Sequence, residues 1–289
     1  MILITGASGF VGRNLVKHIE PRSSLRCLVR KISNTAGLEG CQLAYGDITD
    51  YDSLVTATKG VDAVVHLVAA LSASNYEQNY EVHVAGAEKL IEACKTNGVK
   101  RVVVASTVAT LADRKSNYGT TKRMADELFL RSGLDVTILR PDFIYGRDGD
   151  GFNKLVNIIK NSRFVPIPGD GRYRRQPVHV DDVCRTFYSA LTNPAAIGKT
   201  YIVASEKPIA FDSMVDMIME KLALRKRKIH IPISLLLSLA KIMKLAKNPR
   251  LTQTVVLGIA QDRAEDVTPM ISELGVRPVS FKEGLEKSL

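Results

Sequence analysis

The sequence predicts an α/β fold, namely a doubly wound parallel sheet with a smaller, mostly helical C-terminal domain. Short runs of branched apolar residues alternate with helical patterns through the first half of the chain. Several of these runs are apolar throughout, which is typical of strands buried on both faces of a parallel sheet. A glycine-rich loop joins the first run to the first helical pattern. Alternating strands and helices with short links indicate βαβ units, and therefore a doubly wound arrangement.

Six predicted strands and three predicted helices make up the first half. Each helical pattern stops at or near a proline or glycine, which supports its C-terminal limit. The strands are expected over residues 1–5, 25–30, 41–47, 63–69, 101–106 and 135–141, and the helices over 10–20, 79–98 and 118–133.

The pattern changes after Gly146. Residues 177–193 predict a short strand that leads into a helix, 200–205 predict another strand, and helical patterns dominate from residue 207 on. We therefore expect two domains. The larger comprises residues 1–146 and a return segment, 178–206, and the smaller comprises residues 147–177 and 207–289.

The composition is that of an ordinary globular protein. The chain has 289 residues, of which 45% are hydrophobic and 24% charged, so extended disorder is not expected. Its formal net charge of +10 favours anionic partners such as nucleotides or phosphorylated sugars. The basic residues are spread along the chain and form no recognisable nucleic-acid-binding motif, so we expect no nucleic-acid partner.

The four cysteines predict neither disulfides nor a metal site. None belongs to a CxxC motif, and no histidine lies at metal-ligand spacing from them. Buried free thiols in a reducing cytoplasm are therefore expected. The N-terminal stretch MILITGASG lacks the basic region and cleavage site of a signal peptide, which also favours a cytoplasmic location.

One late segment is both basic and apolar. Residues 231–246 are too short and too charged for a good membrane span. The preceding RKRK, residues 225–228, predicts a solvated helix end. Two alternatives remain for this part of the chain: burial in the helical core of the smaller domain, which we favour, or peripheral contact of residues 225–247 with a membrane or a partner protein.

The segment TGASGFVG places Gly6, Gly9 and Gly12 between the first strand and the first helix. Gly6 permits a tight turn, Gly9 permits the backbone to approach a pyrophosphate, and Gly12 permits close packing of helix and strand. The N-terminus of the following helix supplies free N–H groups and a positive dipole for phosphates. A glycine triplet in this context predicts a nucleotide-binding site.

The end of the second predicted strand favours one cofactor over another. A cofactor with a free ribose 2′-hydroxyl usually meets an acidic residue there, whereas this chain has Arg30 and Lys31. Cations suit a 2′-phosphate, so NADP(H) is favoured and NAD(H) remains an alternative. Asp47, after the third strand, is a candidate partner of the adenine amino group. Its alternative role is to cap the next helix.

Tyr118 and Lys122 lie four residues apart at the start of a predicted helix, and therefore on one face of it. A neighbouring ammonium is expected to lower the pKa of a phenol, so that the phenol exchanges protons near neutral pH. Thr107 follows the fifth strand, at the sheet edge where doubly wound folds bind ligands. Its hydroxyl is a candidate to hold a substrate oxygen, and the three residues together predict a proton-transfer site.

These motifs resemble those of the short-chain dehydrogenase/reductase superfamily, in its extended branch of NAD(P)-dependent epimerases and dehydratases. The resemblance implies a Rossmann-type sheet. The short gap from Thr107 to Tyr118 also resembles atypical members, including the NADPH-binding accessory subunit of respiratory complex I. The similar stretches keep the family's order within residues 5–183, and they are TGASGFVG, GDITD, HLVAA, VVVAST, YGTTK, RPDFIYG and PVHVDDV.

The resemblance implies a role for each matching residue. Tyr118 would be the general acid and base, Lys122 its electrostatic partner and a ribose ligand, and Thr107 the hydroxyl that orients the substrate. The implied substrate contacts are Thr107, Phe143, Arg172 and Arg175; the two arginines would meet an anionic group or, alternatively, belong to a solvated basic loop. The expected cofactor contacts are Gly6, Ser8, Gly9, Phe10, Val11, Gly12, Arg30, Lys31, Asp47, Ile48, Leu67, Val68, Ala69, Ser106, Tyr118, Lys122, Pro141 and Phe143.

Two positions depart from the family pattern. Sugar-nucleotide epimerases often carry an Asn where this chain has Phe143, and an Asn that helps the proton relay where it has His83. Two functions are therefore open. The first is an NAD(P)-dependent epimerase, dehydratase or reductase that acts on a nucleoside-diphosphate sugar or a related hydroxyl or carbonyl substrate. The alternative is a non-catalytic NADPH-binding structural, assembly or redox-sensing protein. A homodimer through helices 79–98 and 118–133 is usual for the resembled family.

Overall fold

The chain forms two compact units in a computed structural model that describes residues 1–70, 75–112, 116–245 and 261–289. The sequence-based division gave all of residues 207–289 to the smaller domain. Instead, a late segment groups with the sheet. The first unit comprises Met1–Pro141, Val180–Val203 and Val267–Arg277, and the second comprises Asp142–His179, Ala204–Asp266 and Pro278–Leu289.

The first unit is built on a seven-stranded parallel sheet, which confirms the predicted doubly wound fold. Its strands are β1 (Ile2–Thr5), β2 (Leu25–Val29), β3 (Gln42–Tyr45), β4 (Ala63–His66), β5 (Arg101–Ala105), β6 (Asp135–Pro141) and β11 (Thr200–Val203). Their order is β11-β6-β5-β4-β1-β2-β3, and every pairing is parallel. The order reverses between β1 and β4, and ligands bind such folds beside this point, outside the carboxyl ends of the strands.

Helices follow most of these strands. They are α1 (Phe10–His18), α2 (Tyr51–Thr58), α3 (Tyr76–Tyr80), α4 (Gly86–Thr96), α5 (Asn117–Arg131), α7 (Val180–Thr192) and α10 (Thr268–Leu274). A π-helical turn, Glu81–Ala85, joins α3 to α4 without a break, and short 3₁₀ turns occupy Arg22–Ser24, Val108–Leu111 and Pro194–Ala196.

The core of the first unit consists of branched side chains from the strands and the inner faces of the helices. Val64, Val102 and Ile138 of neighbouring strands are fully buried, and they pack with Leu90 and Phe129 of the covering helices. Burial on both faces explains why the strands are apolar throughout. The predicted strands 25–30, 41–47, 63–69 and 101–106 extend beyond the observed strands at their carboxyl ends, where the residues belong to loops.

Helix α10 is the segment that the sequence assigned to the other domain. The hydroxyl of Tyr201, in β11, donates to Glu273 at 2.6 Å. The hydroxyl of Ser189, in α7, donates to the carbonyl oxygen of Leu274 at 2.7 Å. These long-range contacts bind α10 to the sheet unit, and no local pattern in the sequence reveals them.

The second unit combines short strand pairs with helices. Its strands are β7 (Ile144–Tyr145), β8 (Phe164–Pro168), β9 (Arg174–Arg175), β10 (Val178–His179), β12 (Ile209–Ala210) and β13 (Arg227–Ile231), and its helices are α6 (Asp150–Asn161), α8 (Phe211–Lys221), α9 (Ile233–Leu245) and α11 (Phe281–Ser288). Pairs β7–β10 and β8–β13 are parallel, and β9–β12 is antiparallel. Tyr145 lies at the centre of this core, and its ring contacts Phe152 and Phe281.

The prediction for residues 225–228 was wrong. Helix α8 ends at Lys221, and Arg227 and Lys228 begin strand β13. Arg227 pairs with Phe164, and Ile229 with Pro166. After Arg227, polar and apolar residues alternate in the sequence RKIHI of β13, which is a strand pattern. The run of basic residues obscured this alternation in the sequence.

Candidate active site

The glycine-rich loop wraps tightly between β1 and α1. Gly6 has a positive φ of 76°, which a side chain would strain. A Cβ atom at Gly12 would lie 2.4 Å from the carbonyl oxygen of Gly6, so this position excludes any side chain. Helix α1 has Gly9 at its N-cap, no side-chain cap and no acidic residue in its first turn. The N–H groups of the first turn of α1 are therefore left for an anion, which fits a dinucleotide pyrophosphate.

The end of β2 carries the two predicted cations. Arg30 and Lys31 are both exposed, and the backbone turns directly after the strand, with the Ser33 N–H donating to the Arg30 carbonyl at 2.8 Å. Arg13, in the first turn of α1, donates to the carbonyl oxygen of Asn34 at 3.3 Å. Its Nε is buried and has no partner among the described residues. Sequence reasoning missed Arg13, although its place directly after Gly12 was a usable signal.

Asp47 closes the loop after β3. One carboxylate oxygen, Oδ1, accepts from both the backbone N–H and the hydroxyl of Thr49, at 3.0 and 2.9 Å. Asp50, not Asp47, occupies the N-cap position of α2. The neighbouring Ile48 is buried. The alternative role of Asp47 as the cap of α2 is therefore replaced by a role in the loop that precedes the helix.

Residues 67–69 leave the carboxyl end of β4 beside the glycine loop. The backbone N–H of Leu67 donates to the Thr5 carbonyl at 3.0 Å. A Cβ atom on Gly6 would be 3.0 Å from the Leu67 carbonyl carbon. Leu67, Val68 and Ala69 are half-buried. The strand end and the glycine loop thus form adjoining parts of one edge of the sheet.

Helix α5 places Tyr118, Lys122 and Asp126 on one face, since they are spaced four residues apart. Lys122 is only 3% exposed. Its Nζ donates to the carbonyl oxygens of Ala105, at 2.7 Å, and Val68, at 3.4 Å. These two carbonyls lie at the ends of neighbouring strands, so they fix the ammonium at the carboxyl edge of the sheet.

The pKa of Tyr118 shifts in the direction opposite to the one expected, and the pKa of Lys122 is shifted as well. Burial lowers the pKa of Lys122 to about 8, against a smaller opposing effect of Asp126. Burial, with a further contribution from Asp126, raises the pKa of Tyr118 to about 12. The sequence-based expectation of a lowered phenol pKa does not hold here. Burial is the main reason, and the Nζ of Lys122 donates to backbone carbonyls rather than to Tyr118 within the described structure.

The buried carboxylate of Asp126 raises the pKa of Lys122 by its charge and has hydrogen-bond partners of its own. Asp126 accepts from the hydroxyl of Ser106 at 2.7 Å and from Nε and a terminal nitrogen of Arg140 at 3.2 and 3.0 Å. All three bonds end on Oδ2, and Oδ1 has no partner in the part of the chain described. Ser106, an expected nicotinamide contact, thus donates its hydroxyl proton to Asp126 and retains only acceptor capacity. Sequence reasoning missed Asp126, although its spacing from Lys122 was visible.

His83 is held in one orientation beside Tyr118. The Ala70 N–H donates to Nε2 at 2.9 Å, so Nδ1 carries the proton and donates to the Thr121 hydroxyl, also at 2.9 Å. Thr121 in turn donates to the Asn117 carbonyl at 2.9 Å. The imidazole lies edge-on to the Tyr118 ring. The histidine therefore occupies the family's asparagine position with its own complete set of hydrogen bonds.

His83 is neutral in the folded chain. Burial, helped by the charge of Lys122, lowers its pKa to about 3. The residue belongs to the π-helical turn Glu81–Ala85. Such turns are rare and often occur at functional sites, because the extra residue changes which side chains face the site.

The remaining predicted residues lie in different settings. Thr107 is half-buried, and its Oγ1 accepts from the Ala109 N–H at 3.2 Å, which starts a 3₁₀ turn. Pro141 ends β6. Phe143, Arg172 and Arg175 belong to the second unit.

Of the two predicted substrate arginines, one is engaged and one is exposed. Arg175 forms an ion pair with the buried Asp142, which also accepts from the backbone N–H of Gln176 at 2.9 Å. Arg172 is exposed at the surface. The charge of Arg175 is thus largely balanced within the protein, and Arg172 is the better placed of the two to meet an anion.

Other site types have little support within the described ranges. The four cysteines are free, and Cys27, Cys94 and Cys184 are buried. No cluster of His, Cys, Asp and Glu there has the geometry to hold a metal ion. No described helix is both long and apolar enough to span a bilayer.

Comparison with known proteins gives consistent matches. The chain matches the NAD dependent epimerase/dehydratase family model over residues 2–204. It is 28% identical, over 79% of its length and 75% of the relative, to 4-hydroxy-2-methyl-3-oxo-4-farnesyl-3,4-dihydroquinoline-1-oxide ketoreductase of Stigmatella aurantiaca. It is 24% identical, over 98% of its length and 82% of the relative, to the mitochondrial NADH dehydrogenase (ubiquinone) 1 alpha subcomplex subunit 9 of Dictyostelium discoideum.

A solved structure shares the fold. The dTDP-glucose 4,6-dehydratase of Streptomyces venezuelae, solved with NAD bound, aligns with a TM-score of 0.78 over 99% of this chain and 95% of that protein, at 24% identity. At this level of identity the alignment shows a common fold.

Proposed function

Because this chain belongs to the NAD dependent epimerase/dehydratase family, we propose that it is an NAD(P)-dependent enzyme in which Tyr118 exchanges a proton with a hydroxyl or carbonyl oxygen. A reductase, an epimerase or a dehydratase of this family would all use this step. A bound cofactor would supply or accept the accompanying hydride at the adjacent substrate carbon.

One observation carries the proposal. Lys122 is buried beside Tyr118, with its Nζ on the carbonyl oxygens of Ala105 and Val68. Burying an ammonium is costly unless it is well bonded, so a purely structural helix would not select lysine at this position. A cation at the carboxyl edge of the sheet suits a nicotinamide ribose and a phenol that changes charge.

The residues divide the chemistry among themselves. NAD(P), when bound, supplies the hydride acceptor or donor. Thr107 orients the substrate oxygen, and Tyr118 gives its Oη proton to that oxygen or takes it back. Lys122 stabilises the phenolate that remains after donation. His83 and Thr121 hold the ring of Tyr118 and the first turn of α5 in place.

The protonated state of Tyr118 suits a proton donor to a carbonyl oxygen. With its pKa raised to about 12, the phenol is protonated at neutral pH and is ready to donate. Carbonyl reduction needs such a donor at the start of the reaction, whereas alcohol oxidation needs a phenolate. The similarity to a ketoreductase supports the same direction.

Exposed basic side chains support a preference for one cofactor and for one class of substrate. Arg30 and Lys31, with Arg13 nearby, favour NADP(H), and NAD(H) remains the alternative. A nucleoside-diphosphate sugar or a related anionic hydroxyl or carbonyl compound is the substrate class to test first. The dehydratase similar in fold acts on dTDP-glucose, and Arg172 is an exposed cation that would suit a diphosphate.

The test is a substrate screen with two matched variants. We expect Tyr118→Phe to lower turnover by about 100-fold or more while NAD(P)H binding is retained. Tyr188→Phe, at an exposed tyrosine of α7, should leave turnover unchanged. Turnover that survives Tyr118→Phe would remove the phenol from the mechanism.

A second candidate is a non-catalytic NADPH-binding structural, assembly or redox-sensing protein. The short link between Thr107 and Tyr118 motivates it, together with the similarity to a complex I subunit. It predicts tight NADPH binding without turnover and stable association with a larger complex. Robust turnover by the isolated chain would exclude it as the main function. In either case we propose a cytoplasmic protein that dimerises through residues 79–98 and 118–133.

A further inference from the structure

Strands β8 and β13 present an exposed apolar side. Phe164 is 42% exposed and Ile229 is 43% exposed, and the exposed Pro166 lies opposite Ile229 in the parallel register. Large apolar side chains grouped on one side of a strand pair are uncommon at a solvated surface. The pair therefore has a face without a partner in the described structure.

Helix α9 continues this apolar surface. Only Pro232 separates it from β13, and a Cβ atom on Gly169, just after β8, would lie 3.4 Å from the Ile233 side chain. Ala240 is buried, whereas Leu235 and Leu239 are 59% and 45% exposed. These two leucines are four residues apart, so they share one face of the helix. Helix α9 thus buries one side and leaves a leucine face outside.

The charge of this region has one sign. Residues 221–245 contain seven lysines and arginines and no acidic residue. Lys228 is neutralised by Asp212 and Asp216 of α8, and Lys221 by Glu286. The Nζ of Lys226 donates to the carbonyl oxygens of Lys160 and Ser162, whereas Arg225 and Arg227 are exposed.

Three exposed arginines precede or begin the two strands. Arg163, Arg225 and Arg227 form no ion pair with any described residue, and the guanidinium of Arg163 lies 5.3 Å from the centroid of the Phe164 ring. Unpaired arginines interleaved with exposed leucine, isoleucine and phenylalanine are the composition of an interfacial membrane-binding surface. We call the set of Phe164, Ile229, Leu235, Leu239, Arg163, Arg225 and Arg227 the basic apolar face.

We propose that the basic apolar face docks on the surface of an anionic lipid bilayer. The arginines would meet lipid phosphates and carboxylates, and the apolar side chains would enter the boundary between headgroups and acyl chains. The positive charge decides the choice of occupant, because an apolar protein partner or a second copy of this face gains nothing from unpaired arginines. Of residues 225–247, the last two lie outside the described residues and contribute nothing to this proposal.

The chain contains no tryptophan, which gives the test a clean optical probe. Phe164→Trp places one indole in the basic apolar face, and Tyr188→Trp places one at an exposed position of α7 in the other unit. With vesicles of phosphatidylcholine and phosphatidylserine, we expect the emission of the first variant to shift to the blue and that of the second to stay constant. An unshifted Phe164→Trp spectrum would overturn the proposal, as would a shift that appears with rising protein concentration in the absence of vesicles.

Vesicle sedimentation tests the charges. The triple variant Arg163→Gln, Arg225→Gln, Arg227→Gln should bind anionic vesicles about 10-fold or more weakly than the parent chain. The matched triple Lys17→Gln, Lys59→Gln, Lys100→Gln removes the same charge from exposed positions of the first unit and should bind like the parent. Equal losses in both triples, or equal binding of the parent to pure phosphatidylcholine, would show that no specific face is involved. The salt dependence of parent binding gives a result that does not depend on the folding of any variant.

Discussion

The imidazole of His83 lies edge-on against the phenol ring of Tyr118, with the ring centroids 5.2 Å apart and the planes at 81°. Because both nitrogens of His83 are engaged, with Ala70 and Thr121, the imidazole cannot rotate without losing a bond. Tyr118 is thus positioned by a neutral, fixed neighbour. This contact gives the first prediction, since the neutrality of His83 has a measurable cost in acid.

Acidification should destabilise the protein through His83. Its pKa is about 3 in the folded chain, against 6.5 for an ordinary histidine. Between these values the unfolded chain binds a proton that the folded chain does not, so stability falls as pH falls. His83→Gln should reduce the slope of unfolding free energy against pH by about 1.4 kcal/mol per pH unit in this window. Urea denaturation at several pH values measures the slope.

The control for this prediction is His18→Gln, at an exposed histidine of α1, which should keep the parent slope. The remaining slope in His83→Gln is expected to include His66, whose pKa is also well below its usual value because of burial. Identical slopes in the parent and His83→Gln would contradict the assignment of His83 as a buried neutral group.

Lys122 should set an alkaline limit to function. Its pKa of about 8 means that the ammonium is lost above this pH, and with it the ribose contact and the phenolate stabilisation that we propose for this residue. Turnover, or NAD(P)H affinity measured by nicotinamide fluorescence, should therefore fall above pH 8. Asp126→Asn removes the carboxylate that raises the pKa of Lys122, so the limit should move to lower pH. A limit that stays in place or moves upward would refute the coupling of Asp126 to Lys122.

Gly12→Ala should damage both the fold and nucleotide binding. The new Cβ would lie 2.4 Å from the Gly6 carbonyl oxygen, so the helix and the loop must separate. We expect a loss of about 1–3 kcal/mol in unfolding free energy and a loss of NAD(P)H binding. Gly151→Ala is the matched control, because its Cβ would meet only the Phe143 ring, at 3.6 Å. Equal effects of the two substitutions on binding would argue against a phosphate cradle at this loop.

Arg30→Asp should reverse the cofactor preference. A carboxylate at the end of β2 repels a 2′-phosphate and accepts a hydrogen bond from a free 2′-hydroxyl. We expect NADPH affinity to fall about 10- to 100-fold while NADH affinity is retained or improved. Lys282→Asp, which makes the same charge change at an exposed position of α11, should alter neither. Parallel losses for both cofactors in Arg30→Asp would remove the 2′-phosphate interpretation.

The sequence supplied what is local and periodic. Gly6 and Gly12 stand where their backbone roles can be seen from spacing, and Tyr118 and Lys122 share a helix face because they are four residues apart. The spacing of residues in the sequence does not show how deeply each side chain is buried. The raised pKa of Tyr118 therefore could not be foreseen, because it depends on packing around the ring and on a lysine that bonds to backbone carbonyls instead.

Tertiary partners were equally hidden. Asp126 of α5 accepts hydrogen bonds from Ser106, directly after β5, and from Arg140 of β6. The spacing of these three residues in the sequence follows no motif. The long-range bond between Tyr201 and Glu273 similarly decides which unit holds α10. Such pairings depend on how neighbouring strands and helices are arranged, and they became visible only in the fold.

The π-helical turn Glu81–Ala85 has a consequence for insertions and deletions. It holds one residue more than an α-helical turn would, so the helix on either side of it is rotated as if a residue had been inserted. Deleting one residue here would restore an uninterrupted α-helix from residue 76 to 96, which is intrinsically the easier structure to form. The same deletion would turn His83 away from Tyr118. A shortened turn is therefore expected to give a well-folded helix in which His83 points in the wrong direction. A deletion here would disturb the site without disturbing the fold.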